Sequence, residues 1–427
     1  MLEKYRLGEI ATVEISGVDK KIKDGEVPVK LCNFVDVYYN WAITLDLEQK
    51  FMEATARTNE IERFKLKRGQ VALTKDSETR FDIGIATYIA DDFDDVILGY
   101  HNALVTPNPE KLSGKYLNAL LHTDYARTYF ANNASGSGQR YALSVDALNN
   151  FPVPLIPLAE QKRIGDIFSS IDEKIVLNRA INDNLEAMAK KLYDYWFVQF
   201  DFPNEEGKPY KSSGGKMVWD DKLKREIPEG WSSKMISEIE ANIVTGKTPS
   251  CANDGNFGGD IPFVTIDDIR GNLFVFQAQR TLSKIGADSQ AKKYLPEGSL
   301  CVSCIGTIGV MGFVAKLSQT NQQINSIIFD KEYNKEYSYF SLKQYFGSAR
   351  AKTGNVFANM NKEEFASIYI AYPSIDLLQK YHNMVLPMFD TIRINTSEIL
   401  NLTTQRDELL PLLMNGQVSV NYHLSDD

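Results

Sequence analysis

The sequence predicts an α+β protein that arose by tandem duplication, in which each half combines a mixed α/β domain with one long helix. Three observations predict this fold: an internal repeat, short alternating strand patterns between polar Gly-rich loops, and two long helical stripes. At 427 residues the chain is too long for one ordinary domain. We therefore expect two globular domains and two helical segments, related by a pseudo-two-fold repeat.

The internal repeat is weak at single positions but keeps its order through each half. "LAEQK" at 158–162 resembles "DLLQK" at 376–380, which matches Gln161 to Gln379 at an offset of 218 residues. Upstream of both segments, alternating apolar residues predict a strand that stops at a proline. The shared order favours duplication of one unit over chance similarity.

Two long stripes of apolar residues follow an alternating 4-3 spacing, from Leu158 to about Phe197 and from about Asp376 to Leu413. Ser374 is a suitable N-cap for the second helix, and Pro387 must be accommodated within it. The Pro, Gly and Ser density between the halves is typical of a linker. The predicted segments are a first mixed domain at 1–156, a helix at 157–202, a linker at 203–225, a second mixed domain at 226–373, a helix at 374–418 and a tail at 419–427.

The narrow two-in-seven apolar content of both stripes favours a helix–helix seam. Packing of each helix on its own domain is the alternative. Polar residues in the middle of the stripes are typical of positions that set the register of a coiled coil: Asn178, Asn182, Asn395 and Arg406. Since the first helix leads to the second domain and the second must return, we expect an antiparallel pair about 60 Å long, from about 40 residues.

Composition excludes several classes of protein. No apolar run approaches the roughly 20 residues that span a bilayer, and the N-terminus lacks the order of a signal peptide. Four cysteines do not make a disulfide framework in so long a chain. We therefore expect a cytoplasmic protein without a membrane segment. The formal net charge of −9 argues mildly against an indiscriminate polyanion binder, although local basic loops remain compatible with it.

Searches for catalytic and metal motifs give no candidate. Cys301 and Cys304 form a CxxC pair, but zinc needs four ligands and the sequence has no second pair. The segment "SLCVSCIG" at 299–306 instead has the pattern of a strand. We therefore expect no catalytic residue, no metal site and no cofactor on this chain.

Three stretches carry a resemblance to a known family: "PLAEQKRIGDIFSSIDEKIVLNRAINDNLEAMAKKLYDYWFVQFDFP" at 157–203, "EIPEGW" at 226–231 and "TGKTPS" at 245–250. Together they closely resemble the specificity subunit of type I restriction–modification systems. The order of variable domain, conserved helix, variable domain and conserved helix covers the whole chain. The second helix departs from the family pattern, with "DLLQKYHN" at 376–383.

The resemblance implies a function. Two target-recognition domains, separated by the antiparallel coiled-coil helices, would each contact one half of a bipartite double-stranded DNA target. The partners would be two methyltransferase (M) subunits, which carry S-adenosylmethionine and methylate adenine at N6, and two motor–nuclease (R) subunits, which use ATP and Mg²⁺ to cleave DNA. This chain would be the non-catalytic subunit of that deoxyribonuclease and methyltransferase complex.

Polar loops between strands supply the candidate DNA-binding residues, because their side chains can reach phosphates or base edges and their glycines let backbone N–H groups approach phosphate. In the first half these are Lys75, Ser77, Thr79, Arg80, Gly138, Gln139 and Arg140. In the second half they are Gly246, Lys247, Thr248, Ser303, Thr307, Thr353 and Asn355. The ends of the helices, with Tyr193, Tyr195 and Trp196, are the predicted docking surface for the methyltransferase.

Two other functions remain open on sequence grounds. "ANIVTGKTPS" at 241–250 contains Gly-Lys-Thr and suggests a phosphate-binding loop, hence a nucleotide-driven enzyme. Its β-branched residues resist positive φ, and Pro249 follows the motif at once, so we expect its phosphate to be that of DNA. A coiled-coil scaffold with two protein-binding domains is the other alternative.

Overall fold

The computed structural model describes residues 3–137, 140–353 and 359–414. The chain forms two compact units: unit 1 comprises Met1–Val176 and Leu400–Asp427, and unit 2 comprises Leu177–Ile399. Each unit mixes short strands with helices, which confirms the predicted α+β class. Among the described helices, none combines the length and apolarity that crossing a membrane requires.

The strands of the first half are β1 Lys4–Arg6, β2 Ala11–Ile15, β3 Val27–Cys32, β4 Ala42–Ile43, β5 Met52–Ala56, β6 Val71–Thr74, β7 Asp76–Ser77, β8 Ala86–Ile89, β9 Val96–Leu98, β10 Asn102–Pro107, β11 Ser135–Ser137, β12 Arg140–Ala142 and β13 Pro152–Pro154. Its helices are α1 Leu7–Ile10, α2 Phe34–Tyr39, α3 Thr58–Phe64, α4 Gly114–Leu121, α5 Asp124–Asn133, α6 Val145–Asn149 and α7 Leu158–Tyr193, which continues as a π-helical turn over Asp194–Val198. A 3₁₀ turn covers Leu45–Lys50.

The strands of the second half are β14 Met217–Asp220, β15 Arg225–Pro228, β16 Ser232–Met235, β17 Ile243–Thr245, β18 Phe257–Val264, β19 Phe274–Val275, β20 Thr281–Leu282, β21 Leu300–Ser303, β22 Met311–Val314, β23 Gln319–Thr320, β24 Ile324–Ile327 and β25 Tyr369–Tyr372. Its helices are α8 Ile236–Ile239, α9 Ile266–Ile269, α10 Lys284–Asp288, α11 Lys335–Thr353, α12 Lys362–Ala366 and α13 Ile375–Met414. Short 3₁₀ turns cover Asp254–Asn256, Ala291–Lys293 and Glu332–Asn334.

The same sheet is built twice. In unit 1 a five-stranded sheet has the order β2-β10-β6-β8-β4, and in unit 2 the order β17-β24-β21-β22-β19 has the same topology. In both sheets the last pair is parallel and the other pairs are antiparallel. A three-stranded sheet accompanies each one, β5-β3-β9 and β20-β18-β23. The predicted internal repeat is therefore present in the fold.

The central strand β6 shows why the sheet forms. Its sequence, Val-Ala-Leu-Thr, is buried throughout, as expected for a strand covered on both faces. Val71 and Leu73 pack in one hydrophobic cluster with Phe130 of α5, whereas Ala72 packs in another with Leu31 of β3. Alternate residues thus enter opposite layers, which is the period-2 pattern of a strand.

The two long helices are related by an offset of 217 residues, not the 218 that the sequence alignment gave. Helices α7 and α13 begin 217 residues apart, at Leu158 and Ile375. Buried positions recur at this spacing, in the pairs Gln161 and Leu378, Ile164 and Tyr381, Phe168 and Val385, Asp172 and Phe389, and Ile175 and Ile392. Gln379, which the sequence matched to Gln161, is exposed. The sequence offset of 218 is therefore wrong by one residue. It aligned the identical Gln-Lys pairs at 161–162 and 379–380, whereas the positions that are buried align at 217.

The two long helices run antiparallel where unit 2 contains both. The Asn178 amide donates to Glu398 Oε2 at 2.8 Å, and the Asn395 amide donates to Asn182 Oδ1 at 2.9 Å. Later residues of α7 contact earlier residues of α13, so the two helices are antiparallel, as predicted. These polar contacts fix one register of the pair. The Ser374 hydroxyl accepts the Leu377 N–H, which confirms the N-cap. Helix α13 continues through Pro387 without interruption.

The segment at 203–225, predicted as a linker, is folded. Strands β14 and β15 form an antiparallel hairpin at the end of this segment. Phe202 stacks on Tyr210 with ring centroids 4.7 Å apart, and Asp201 accepts hydrogen bonds from the backbone and hydroxyl of Ser212. The Gly and Ser residues therefore form turns within a packed connection.

Candidate nucleic-acid interface

One hairpin loop occupies the same position in both units. In unit 1 the Thr74 N–H donates to the Ile85 carbonyl, and the Thr74 hydroxyl accepts the Ile85 N–H at 3.1 Å. In unit 2 the Ser303 N–H donates to the Val310 carbonyl, and its hydroxyl accepts the Val310 N–H at 2.9 Å. The loops enclosed by these bonds, 75–84 and 304–309, are two of the segments that the sequence proposed for DNA contact.

A glycine closes each of these loops against a phenylalanine. Gly84 has φ +79° and Gly309 has φ +80°, conformations that favour glycine. A Cβ on Gly84 would lie 2.4 Å from the Phe130 ring, and one on Gly309 would lie 2.8 Å from Phe346 Cβ. The ends of both loops are thus fixed on the helix beneath them.

Residues that follow the second candidate segment of each half bond to these loops. The Leu143 N–H donates to the Lys75 carbonyl at 2.8 Å, and the Met360 N–H donates to the Cys304 carbonyl at 2.8 Å. The segment before Leu143 contains the candidates at 138–140, and the segment before Met360 contains those at 353 and 355. Gly138, Gln139 and Asn355 lie outside the described residues, and Thr353 is the last residue of α11.

Two further turns reach the same edge of the sheet. The Ser16 N–H donates to the Asn102 carbonyl at 3.0 Å, at the turn that ends β2. Its counterpart is the Gly246 N–H, which donates to the Ile324 carbonyl at 3.0 Å. Each unit therefore gathers four segments at this sheet edge: the hairpin loop, the residues at 140–142 or 359–360, the turn after β2 or β17, and the turn before β10 or β24. "TGKTPS" supplies the turn after β17.

In unit 1 this edge carries a compact charged cluster around Asp76. Its carboxylate lies 2.5 Å from His101 Nδ1, 2.9 Å from Lys75 Nζ and 3.9 Å from an Arg140 guanidinium nitrogen. Burial by itself would raise the pKa of Asp76, but the hydrogen bonds from His101 and Lys75 outweigh it and lower that pKa overall. The carboxylate stays ionised and holds three basic side chains together.

A cleft of about 520 Å³ adjoins this cluster. Its wall includes Tyr38, whose hydroxyl donates to both oxygens of Asp82 at 2.9 and 2.8 Å. Burial, followed by this hydrogen bond, raises the pKa of Tyr38 to about 12. Tyr39 and Phe81 nearby are exposed, and the Arg80 guanidinium lies 5.2 Å from the Tyr141 ring centroid. Exposed aromatic and basic groups of this kind suit contact with bases and phosphates.

In unit 2 the same edge is mainly amide and hydroxyl. The Thr248 hydroxyl donates to Gln322 Oε1 at 2.8 Å, and the buried Gln290 amide donates to the Lys247 carbonyl at 2.7 Å. The Lys247 side chain is exposed, as is Thr307. Ser303 is fully buried, and its hydroxyl donates to the Thr307 carbonyl. The expectation that Ser303 contacts DNA is corrected here, because its hydroxyl shapes the loop from inside.

The Gly-Lys-Thr segment lacks the geometry of a phosphate-binding loop. The Gly246 and Lys247 N–H groups donate to the Ile324 and Thr320 carbonyls, so neither faces a ligand. A Cβ on Gly246 would lie 2.1 Å from the Asn321 carbonyl oxygen, which explains the glycine by close packing. No helix follows directly, as a phosphate-binding loop would require. The group of this segment that can bind an anion is the exposed Lys247 side chain.

The cysteines of the CxxC pair are buried thiols. Cys301 lies in β21 as predicted, and Cys304 follows that strand. Burial raises the pKa of Cys301 to about 12 and that of Cys304 to about 11, which disfavours the thiolate needed for metal or redox chemistry. Within residues 3–137, 140–353 and 359–414, no group of three His, Cys, Asp or Glu side chains could hold a metal ion.

Comparison with known proteins identifies the family. A sequence model for the type I restriction modification DNA specificity domain matches residues 2–187 and 228–404, one copy in each half. The chain belongs to this family.

Two curated members of the family are similar over most of their length. The type I restriction enzyme HindI specificity subunit of Haemophilus influenzae is 31% identical over 393 residues, which cover 80% of this chain and 85% of that protein. The type I restriction enzyme MjaIX specificity subunit of Methanocaldococcus jannaschii is 25% identical over 315 residues, covering 72% and 69%. The crystal structure of a type I restriction–modification S subunit from M. genitalium covers 97% of this chain and 96% of its own, with a TM-score of 0.56 and 12% identity. That likeness shows a shared fold.

Two of the three residues predicted to dock a partner are in the core of unit 2. Tyr193 is 3% exposed, and its hydroxyl contacts Ser341 and Gln344, each at 3.1 Å. Trp196 is 5% exposed, whereas Tyr195 is 39% exposed. The docking prediction is corrected for Tyr193 and Trp196, because both side chains pack in the hydrophobic core of unit 2 with Phe197 and Tyr381. Tyr195 is accessible on the surface of unit 2.

Sequence reasoning missed the residues that organise the unit 1 edge. Asp76, His101 and Tyr38 come from three segments that are distant in the chain and that meet through the order of the sheet. Each was an isolated polar residue in the sequence. A weak signal was present at His101, in the turn "GYHN" at 99–102 between two apolar strands.

Proposed function

We propose that this chain is the DNA-binding specificity subunit of a type I restriction–modification complex, and that the four-loop edge of each unit contacts one half of a bipartite DNA target. The observation that carries this proposal is the duplicated edge. One scaffold presents equivalent loops twice, while the exposed groups differ: basic and aromatic in unit 1, amide and hydroxyl in unit 2. Equivalent loops of unlike chemistry suit an asymmetric target with two different halves.

The chemistry of the loops supports DNA over a small nucleotide. Lys247 and Arg80 are exposed and lie on loops at the sheet edge. Cations on loops supply the phosphate contacts that dominate affinity for duplex DNA. Amide and hydroxyl groups beside them can pair with base edges. The backbone N–H groups of Gly246 and Lys247 are already bonded, which removes the main support for a nucleotide-driven enzyme.

We further propose that catalysis resides on partners. The family relationship suggests two M subunits, which would bring S-adenosylmethionine for adenine-N6 methylation, and two R subunits, which would bring ATP and Mg²⁺ for cleavage. The exposed Tyr195 is the part of the predicted docking surface that remains available on unit 2. This chain contributes the sequence preference of the whole complex.

The test is binding by the reconstituted complex. The purified chain, mixed with its methyltransferase partner, should retain one bipartite duplex more tightly than a duplex of the same length with both halves scrambled. Log affinity should fall linearly with log salt concentration because phosphate contacts release counterions. Equal affinity for the target and scrambled duplexes would refute the proposal. The isolated chain incubated with ATP should show no specific binding.

A further inference from the structure

Arg140 occupies an unusual position at the unit 1 edge. It is the first residue of β12, and the next residue, Tyr141, pairs with Ser77 in the loop at 75–84. One guanidinium nitrogen lies 2.8 Å from Nδ1 and 3.0 Å from Nε2 of His101 and therefore rests against the imidazole ring. The side chain is nevertheless 63% exposed. Arg140 is therefore exposed to solvent, but its guanidinium group is held in place by His101.

The support beneath Arg140 is rigid. His101 has φ +74°, a conformation that non-glycine residues adopt rarely and that clusters at functional sites. Its ring is fixed by Asp76, whose side chain is 11% exposed and which also accepts from Lys75. The Nε–H and Nη1–H donors of Arg140 have no partner in the part of the chain that the structure describes, and His101 engages only Nη2, which carries two hydrogens. The second Nη2–H therefore forms a parallel donor pair with the neighbouring Nε–H or Nη1–H. A fixed guanidinium plane with free donors is the geometry that bidentate recognition needs.

The surrounding charges favour a base over a phosphate. The cleft beside Arg140 is also lined by Glu78 and Asp82, whose carboxylates oppose a phosphate, while the charge of Asp76 is offset by Lys75. A phosphate placed there would be repelled, whereas a base edge offers both donors and acceptors. Guanine presents O6 and N7 as an acceptor pair in the major groove, and arginine is the side chain that most often binds this pair.

We propose that Arg140 determines specificity for a guanine in the half-site contacted by unit 1, with His101 and Asp76 as positioning residues. This inference rests on the proposed function and adds a base identity to it. His101 and Asp76 do not touch the DNA base themselves. They fix the guanidinium plane, and Arg140 forms two parallel hydrogen bonds to the guanine.

The experiment maps methylated adenines in the genome of a host that lacks other adenine methylation and expresses this chain with its methyltransferase partner. The wild-type complex should give one bipartite motif. With Arg140→Ala, one guanine position in one half should become degenerate, with discrimination there falling roughly ten- to hundred-fold. The other half should stay unchanged. Arg127→Ala, which removes an exposed arginine of α5, is the matched control and should leave the motif intact.

Two further variants separate positioning and folding from base contact. Arg140→Lys keeps the charge and any phosphate contact but loses the planar fork, so it should relax the same position even if Arg140→Ala fails to accumulate. His101→Asn tolerates the positive φ but removes the ring, so it should relax that position partially while the melting temperature of the complex stays unchanged.

The outcomes distinguish this inference from the proposed function. If the wild-type complex methylates without a bipartite motif, the proposed function fails. If the wild-type motif appears and Arg140→Lys leaves it unchanged, the guanine assignment fails while the function stands. Uniformly weaker methylation of an unchanged motif in Arg140→Ala would assign the residue to phosphate and would also overturn the inference.

Discussion

Gln161 offers a sharp test of the packing between α7 and unit 1. It is fully buried, accepts the Ser113 N–H at 2.9 Å, and donates to the carbonyls of Lys111 and Ile156 at 2.9 Å each. Gln161→Leu would leave one buried N–H and two carbonyls without hydrogen-bond partners. Its structural counterpart in the second half is a buried leucine, Leu378, so leucine suits this helical position but not these neighbours.

The expected magnitude follows from these three bonds. Each buried group left without a partner costs about 1–2 kcal/mol where loop carbonyls can reach water, so the three together cost roughly 3–6 kcal/mol. Burial of the leucine methyl groups returns roughly 1–2 kcal/mol. The net loss should be about 2–4 kcal/mol for unit 1. Since 1.4 kcal/mol is about a factor of ten, opening of the unit should become roughly 30- to 700-fold more frequent.

Amide hydrogen exchange measures that opening within the complex of this chain with its methyltransferase partner. Exchange in β6, at the centre of unit 1, should accelerate by this factor in Gln161→Leu, while exchange in β21 of unit 2 serves as an internal reference. Gln379→Leu is the matched control because Gln379 is exposed and should change stability by no more than about 0.5 kcal/mol. Equal acceleration by both variants, or none by Gln161→Leu, would refute the assignment of Gln161 as a structural anchor.

Four further predictions concern the loops and the histidines. Gly84→Ala should cost unit 1 about 2–4 kcal/mol by hydrogen exchange in β6, whereas Gly25→Ala, at a similar positive φ but in open space, should cost only about 1 kcal/mol. Lys247→Ala should weaken DNA binding similarly for target and scrambled duplexes and should reduce the slope of log affinity against log salt by about one. A hydrogen bond to Glu336 raises the pKa of His382 in the folded protein. The stability that this pair contributes is therefore present below pH about 6.5 and is lost as pH rises through the raised pKa of the folded state. His382→Gln should destabilise unit 2 in urea titrations at pH 6 but not at pH 9. Burial lowers the pKa of His122 to about 4, so the unfolded chain takes up its proton first, and acidification from pH 7 to 5 should destabilise unit 1 by roughly 1–2 kcal/mol more in the wild type than in His122→Gln.

The sequence was sufficient for the features that depend on local pattern. The limits of α7 and α13 could be predicted because Pro157 and Ser374 mark their starts and a continuous apolar stripe fixes their lengths. The strand containing Cys301 followed from its apolar pattern. The antiparallel pairing followed from connectivity together with polar residues such as Asn182.

Other features depend on rotation or on distant contacts, which local pattern does not contain. A one-residue shift turns a helix by about 100°, so aligning identical glutamines placed Gln379 where Leu378 belongs. Tyr193 and Trp196 lie in the core because the end of α7 packs against the domain of unit 2, a contact between distant segments that the helical pattern does not show. Alternation along β21 did not show that the hydroxyl of Ser303 bonds back into its own loop.

The candidate loops were found in the sequence, but the groups that organise them were not. Lys75 and Arg140 were selected as exposed polar residues with basic side chains. Their common centre, Asp76, was not selected, because a lone carboxylate next to a lysine resembles a solvated pair. Asp76 and His101 are 25 positions apart in the chain and meet through the sheet order, and this long-range pairing converts three ordinary residues into a charged cluster.

The glycine closures at Gly84 and Gly309 have an evolutionary consequence. The loop at 75–84 has ten residues and the loop at 304–309 has six, yet both end at the same kind of closure on a helical phenylalanine. The buried residues of each loop, such as Ile83 and Ile308, belong to the core, whereas its exposed positions, such as Arg80 and Thr307, can change with little effect on the sheet. Such an arrangement lets sequence preference diversify quickly under selection, because mutations that alter what the loop contacts do not endanger folding.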